Sequence, residues 1–163
     1  MGIHELSAVL WRERELLEVL HYKLDIERLL LATGRHRWLG RAAQEIEYVT
    51  SRLKEVGLAR AMESAEVAEG LELDAEATLR EIVAALDDAV WSDILESHLA
   101  ALVRVTTEIG GVRDANERML REANRAAQEA MTVVGGAGPT SGIYDARGFA
   151  HDASGARLVD EEI

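Results

Sequence analysis

The sequence predicts an all-α protein: an open antiparallel bundle of three long helices and one short helix, followed by a disordered C-terminal tail. Strong helix formers, above all Ala, Leu, Glu and Arg, dominate its 163 residues. The chain has a single Pro and only 4% aromatic residues. Apolar residues recur at spacings of three and four along three long segments, as expected for one face of an α-helix.

The first long helix is expected over residues 3–32. Its apolar positions form two rows, wide enough together to contact two neighbouring helices. The rows are Ile3, Leu6, Leu10, Leu17, Leu20, Leu24 and Leu31, and Val9, Leu16 and Leu30. Thr33 and Gly34 follow, and Gly34 is a stop signal because glycine accepts the left-handed conformation that ends many helices.

The second long helix is expected over residues 37–69, with Gly70 ending it. The three-four spacing is kept by Leu39, Ala42, Ile46, Val49, Leu53 and Val56. Gly57 interrupts this pattern at a cost of about 1 kcal/mol relative to Ala. Because the turn between the first two helices is short, they should pack antiparallel.

A short helix is expected over residues 75–86, with Asp74 as its N-cap. Asp87 and Asp88 then separate it from the last long helix, predicted over residues 90–134, and are placed to cap that helix. Gly110 and Gly111 lie in its middle and together cost on the order of 2 kcal/mol. Either packing overrides this cost or the helix kinks at the glycines.

The composition changes after residue 134. Residues 135–142 contain four Gly, and the remainder to residue 163 lacks periodicity. This pattern predicts two regions, a helical domain over residues 1–134 and a flexible tail over residues 135–163. Ile143, Tyr144 and Phe149 are isolated apolar residues within that tail.

Composition also excludes several classes of protein. The chain has no Cys, which rules out disulfides, thiolate metal sites and a Cys nucleophile and fits a cytoplasmic location. No apolar run approaches the length of a membrane span, and the N-terminus does not read as a signal peptide. The net charge of -12 disfavours nucleic acid as a partner.

The sequence contains few candidates for catalytic or metal-binding residues. Glu18 and His21 form one Glu-x-x-His step, whereas a di-iron bundle needs two. His98 lies on the apolar face of the last helix and is expected to be a core histidine. Asn116 shares that face and is expected to specify helix register. We therefore predict no enzyme activity, no metal site and no cofactor.

A small basic cluster lies at the turn between the first two helices. It consists of Arg35, His36, Arg37 and Arg41. This cluster could bind an acidic group, but a solvated turn that complements the helix dipole is favoured. No glycine-rich phosphate loop and no nucleophile elbow is present.

Four stretches of the sequence resemble the FlgN family of flagellar export chaperones. Residues 6–17 are similar to the first helix of that family, and residues 37–47 resemble its actinobacterial branch. Residues 116–120, with the sequence Asn-Glu-Arg-Met-Leu, are similar to its asparagine-leucine segment. Residues 143–148, with the sequence Ile-Tyr-Asp-Ala-Arg-Gly, resemble its tyrosine-glycine tail motif.

The resemblance implies a cytoplasmic chaperone without catalytic activity. It implies binding to the C-terminal helical region of the hook-associated proteins FlgK and FlgL, protection from premature assembly, and delivery to the export-gate protein FlhA. Together with the apolar periodicity, it places substrate binding on the last helix, at Leu102, Val105, Ile109, Val112, Asn116, Met119 and Leu120. It places export-gate docking on the tail, at Ile143, Tyr144, Gly148 and Phe149.

Two other functions compete with this one. A generic helical adaptor or coiled-coil scaffold would use the same apolar stripes for self-association and would have no role in secretion. An enzyme with a site in the bundle core would use His98 and Glu18, and would need a metal or a polar cavity. The apolar stripes themselves do not separate these alternatives, because helix packing alone also requires them.

Overall fold

A computed structural model describes residues 2–136 of the chain. Within that range it contains four α-helices and no strand: α1, Ile3–Ala32; α2, Leu39–Gly70; α3, Leu79–Ala85; and α4, Ala89–Gly136. A 3-10 turn, His36–Trp38, precedes α2, so the second α-helix begins two residues later than predicted. The all-α class, the three long helices and the single short one are confirmed.

Contacts between side chains give the directions of the helices. Lys23 binds Glu45, and Glu13 lies 3.5 Å from Arg60, so α1 and α2 run antiparallel. His98 of α4 contacts Ser7, and Asn116 binds the carbonyl of Leu24, so α4 runs parallel to α1. The three long helices therefore alternate in direction along the chain, as expected for an antiparallel bundle.

The turn between α1 and α2 begins where the sequence predicts. Gly34 has φ +67°, in the left-handed region that only glycine adopts without strain. Its N–H donates to the carbonyl of Leu31, and the N–H of Arg35 donates to that of Leu30. These two bonds form a Schellman motif, which satisfies carbonyls at the end of α1.

The short helix starts later than the sequence predicts. Asp74 was expected as its N-cap, but its carboxylate instead accepts from the N–H of Glu76 in a preceding turn. The cap is Thr78, whose hydroxyl accepts from the N–H of Glu81 while the Glu81 carboxylate accepts from the N–H of Thr78. This reciprocal capping box satisfies two backbone donors and outcompetes the single bond that Asp74 offers.

The last helix is continuous through Gly110 and Gly111. Its start is capped by Asp88, which accepts from the N–H groups of Val90 and Trp91, as predicted. A side-chain β-carbon at either glycine would meet no other atom within 4 Å. Neither position therefore needs glycine for close packing, and α4 continues despite its low helix propensity there.

The chain divides into two compact units, residues 1–122 and residues 123–163. The core of the first unit lies where α1, α2, α3 and α4 meet, and it comprises Leu6, Leu10, Val67, Ala68, Ile82, Leu95 and Leu102. Of the second unit the structure describes residues 123–136, the last part of α4, where Met131 and Val133 are exposed. The predicted boundary between domain and tail, at residue 134, stays a prediction.

Candidate functional site

The α4 residues predicted to bind substrate differ widely in burial. Leu102, Val105, Val112 and Asn116 are all at least nine-tenths buried in the bundle. Ile109 and Met119 are half-buried, and Leu120 is 36% exposed. The buried residues hold α4 on its neighbours, so the half-buried and exposed ones are those that another protein can reach. Whether any of the seven contacts a substrate stays a prediction.

Asn116 joins α4 to α1. Its amide nitrogen donates to the backbone carbonyl of Leu24 at 2.9 Å and to the carboxylate of Glu27 at 2.8 Å. Only 2% of Asn116 is exposed, and a buried amide requires such partners. Because shifting α4 along α1 would break both bonds, Asn116 fixes the register of the two helices, as the sequence predicted.

A groove opens beside Asn116 on the surface of the bundle. It has a volume of about 480 Å³ and is lined by all three long helices: Leu24 and Glu27 of α1, Ile46 and Lys54 of α2, and Arg113 of α4. Ala43, Glu47, Thr50 and Ser51 of α2 complete the lining. Leu24, Ala43 and Ile46 supply apolar surface, and Glu27, Glu47, Lys54 and Arg113 supply charges of both signs. This composition suits an amphipathic partner.

His98 is a buried core histidine, as predicted. Its Nε2 lies 3.3 Å from the hydroxyl of Ser7, and the Trp11 ring packs edge-on against its imidazole at 5.2 Å. Burial, together with the nearby Arg14 guanidinium, lowers the pKa of His98 below its ordinary value of 6.5. Trp11 lies about 10 Å along α1 from Glu18, so the structure does not join Glu18 to His98 in one site.

A second pocket near His98 was not predicted from the sequence. It has a volume of about 440 Å³ and is lined by Trp11 and Arg14 of α1 and by Trp91 and Asp93 of α4, among others. The Arg14 guanidinium stacks 4.6 Å from the centre of the Trp11 ring. The two tryptophans lie 80 residues apart in the chain. No local sequence pattern could therefore indicate that they line the same pocket.

Among the described residues, Glu18 and His21 do not belong to a cluster of possible metal ligands. The His21 ring lies 3.8 Å from both Asp25 and Glu108. Among residues 2–136, no group of three or more His, Cys, Asp or Glu side chains is placed to hold a metal ion.

The basic cluster at the first turn is exposed, and part of it is already paired. Arg41 binds Glu45, which also binds Lys23. These hydrogen bonds, that of Lys23 first, lower the pKa of the Glu45 carboxyl. The Arg37 guanidinium stacks 5.1 Å from the centre of the exposed Trp38 ring. The favoured interpretation, a solvated turn, agrees with this exposure.

The four residues predicted to dock at the export gate, Ile143, Tyr144, Gly148 and Phe149, lie outside the described residues. None of the helices in residues 2–136 has a stretch long and apolar enough to span a bilayer.

Comparison with known proteins identifies a family. A family model described as "FlgN protein" matches residues 1–151, which is most of the chain. No curated protein and no solved structure matches the sequence. The family match does not distinguish the actinobacterial branch, which stays a prediction.

Proposed function

Because the chain belongs to the FlgN family of flagellar export chaperones, we propose that it holds hook-associated proteins in the cytoplasm and delivers them to the export gate. Its substrates are the C-terminal helical regions of FlgK and FlgL, and its gate partner is FlhA. Residues 1–134 form the chaperone domain and residues 135–163 the docking tail. Holding and delivering a substrate requires no covalent chemistry.

The groove between α1, α2 and α4 supports this proposal best. A helix-in-groove contact needs apolar surface between helical walls. Leu24 of α1 and Ile46 of α2 supply apolar surface, and α4 borders the groove at Arg113. The charged groups at its edges, such as Glu47 and Lys54, would fix the orientation of the bound helix. Substrate binding here also shields the partner's own apolar face, which is how premature assembly is prevented.

Burial divides the seven proposed α4 residues by role. Leu102, Val105, Val112 and Asn116 position α4. Ile109, Met119 and Leu120 do not line the groove itself, and they extend the substrate contact along α4. Charged substitutions at Val105 or Val112 would bury an unpaired charge and unfold the bundle, so they do not test substrate binding. A substitution at the rim of the groove is the better test.

Ala43→Arg is that test, because Ala43 is exposed and lines the groove. The long charged side chain should block entry of a substrate helix and weaken capture of FlgK by about tenfold or more, without lowering thermal stability. Ala100→Arg adds the same charge at an exposed position that does not line the groove. Isothermal titration with purified FlgK measures both variants. Equal FlgK binding by Ala43→Arg and wild type would contradict the groove assignment.

Tyr144 is the proposed contact of the tail with the export gate, with Ile143 and Phe149 adding apolar area and Gly148 permitting a close backbone approach. A tyrosine supplies a large apolar ring and a hydroxyl that forms hydrogen bonds. Tyr144→Ala should therefore weaken FlhA binding while thermal stability and FlgK capture stay unchanged. A lower thermal stability with FlhA binding retained would show that Tyr144 serves the fold instead.

A further inference from the structure

The outer face of the C-terminal half of α2 carries two apolar side chains that no other described residue covers. Leu58 is 71% exposed and Met62, one helical turn later, is 74% exposed on the same face. Glu69 follows Met62 by two turns, is also exposed, and lies on that face too. Glu72 follows two residues after Gly70, the last residue of α2. We call these four residues, Leu58, Met62, Glu69 and Glu72, the distal α2 face.

The distal α2 face lies in the most acidic part of the molecule. Residues 61–100 contain eleven Asp and Glu and a single Arg, a net charge of -10 out of the total of -12. Neither Glu69 nor Glu72 forms an ion pair with any residue in the described range. Elsewhere in the bundle, carboxylates such as Asp25, Glu45 and Glu117 do pair with Arg or Lys.

The carboxylates of Glu69 and Glu72 do not stabilise α2. Glu69 and Glu72 are three residues apart and both carry negative charge, so they repel each other. They lie at the C-terminal end of the helix, where the helix dipole disfavours negative charge, and the last turn of α2 has no basic residue. By contrast, Asp88 stabilises the start of α4 as its cap.

Glu72 adds a conformational cost. Its φ is 58°, in the left-handed region, at the position of a Schellman motif where glycine is usual. The N–H of Leu73 completes that motif by donating to the carbonyl of Ala68 at 2.9 Å. Glycine would fit this position better than glutamate.

We propose that the distal α2 face docks a basic amphipathic helix of another protein. The apolar residues of that helix cover Leu58 and Met62, and its Lys or Arg side chains pair with Glu69 and Glu72. The negative field repels nucleic acid and anionic lipid surfaces, which leaves a basic polypeptide as the complementary partner. The chain's own residues 137–163 carry five acidic residues and two Arg and are not complementary. This contact is separate from the groove beside Asn116.

A labelled peptide made only of Lys and Leu, about 18 residues long and with Leu at three-four spacing, is the probe. Its binding to the full chain is measured by fluorescence anisotropy at about 0.15 M salt, where distant charges are screened. Leu58→Ser with Met62→Ser should weaken binding by about tenfold, because the apolar contact is lost. Glu69→Gln with Glu72→Gln should weaken it by roughly threefold to tenfold.

Matched controls separate docking from general attraction to an acidic protein. Met131→Ser with Val133→Ser replaces two apolar side chains that are 75% and 73% exposed, much as Leu58 and Met62 are. Asp114→Asn with Glu122→Gln removes the same charge from exposed positions of α4. Both controls should bind the peptide as wild type does. Glu72→Gly should raise the melting temperature, because strain and repulsion are relieved, and still weaken peptide binding.

Three results would overturn the proposal. The first is that the peptide fails to bind the wild-type chain. The second is that the control variants lose as much peptide binding as the distal α2 variants. The third is that sedimentation shows self-association of the chain, which Leu58→Ser with Met62→Ser abolishes. A second copy of the chain would then occupy the distal α2 face. FlgK capture should persist in the Leu58→Ser, Met62→Ser variant, which keeps this test independent of the groove.

Discussion

Asn116 joins α4 to α1 through two hydrogen bonds. Replacing it with Ala removes both hydrogen bonds and leaves the carbonyl of Leu24 buried without this donor. We expect Asn116→Ala to lower the free energy of unfolding by about 1–3 kcal/mol, the cost of unmade buried hydrogen bonds.

Urea denaturation followed by circular dichroism measures this loss. Asn124→Ala, at an exposed position of the same helix, is the control and should change the free energy of unfolding by less than about 0.5 kcal/mol. Equal stability of Asn116→Ala and wild type would mean that apolar packing alone sets the register of α1 and α4.

His98 links the stability of the bundle to pH. Burial and then Arg14 lower its pKa in the folded chain below 6.5, the ordinary value that it regains on unfolding. Between the two pKa values the unfolded chain binds more protons than the folded one, so stability rises with pH across that window. Stability from this group is complete above the unfolded pKa and is lost as the pH falls through the folded pKa.

His98→Gln should remove this contribution, because glutamine does not titrate. The variant is expected to lose less of its free energy of unfolding than wild type between about pH 7 and pH 5, the range in which histidine changes charge. Urea denaturation across that range is the measurement, with the exposed His36→Gln as control. An unchanged pH dependence in His98→Gln would show that His98 is not the linked group.

At the scale of the helix, Gly110 and Gly111 weaken α4 without any packing reason. A β-carbon at either position would enter open space. Gly110→Ala and Gly111→Ala should therefore each raise the free energy of unfolding by about 0.5–1 kcal/mol.

Gly34→Ala is the opposite case. Gly34 has φ +67°, a conformation that strains alanine, so this variant should destabilise the chain by about 1 kcal/mol. Thermal unfolding of the three variants compares them directly. A loss of stability in both α4 variants would indicate that the glycines meet something that the bundle alone does not present.

At the scale of the whole molecule, the buried core is confined to the first compact unit. Every buried apolar residue that the structure describes lies between Leu6 and Val112. A chain ending at residue 136 should therefore keep its helical circular dichroism signal and its melting temperature. It should also retain FlgK capture and lose FlhA binding if the tail acts as proposed. A drop in melting temperature on truncation would show that the tail contributes to the fold.

Local signals account for what the sequence determined by itself. Three-four spacing located α1 and α4 to within about one or two residues, since periodicity and capping act over neighbouring residues. Gly34 and Asp88 were correctly assigned as stop and cap for the same reason. The start of α3 was wrong because two local caps competed, and the reciprocal bond between Thr78 and Glu81 prevailed over Asp74.

Tertiary structure alone decided which faces are buried and which remain open. The Asn116–Leu24 bond joins residues 92 apart, and the Ser7–His98 contact joins residues 91 apart. Such pairs form only when helices pack, because their energy comes from groups that no sequence window contains together. For this reason periodicity gave the apolar stripe of α4, while packing divided it into the buried Val105 and the more accessible Ile109 and Leu120.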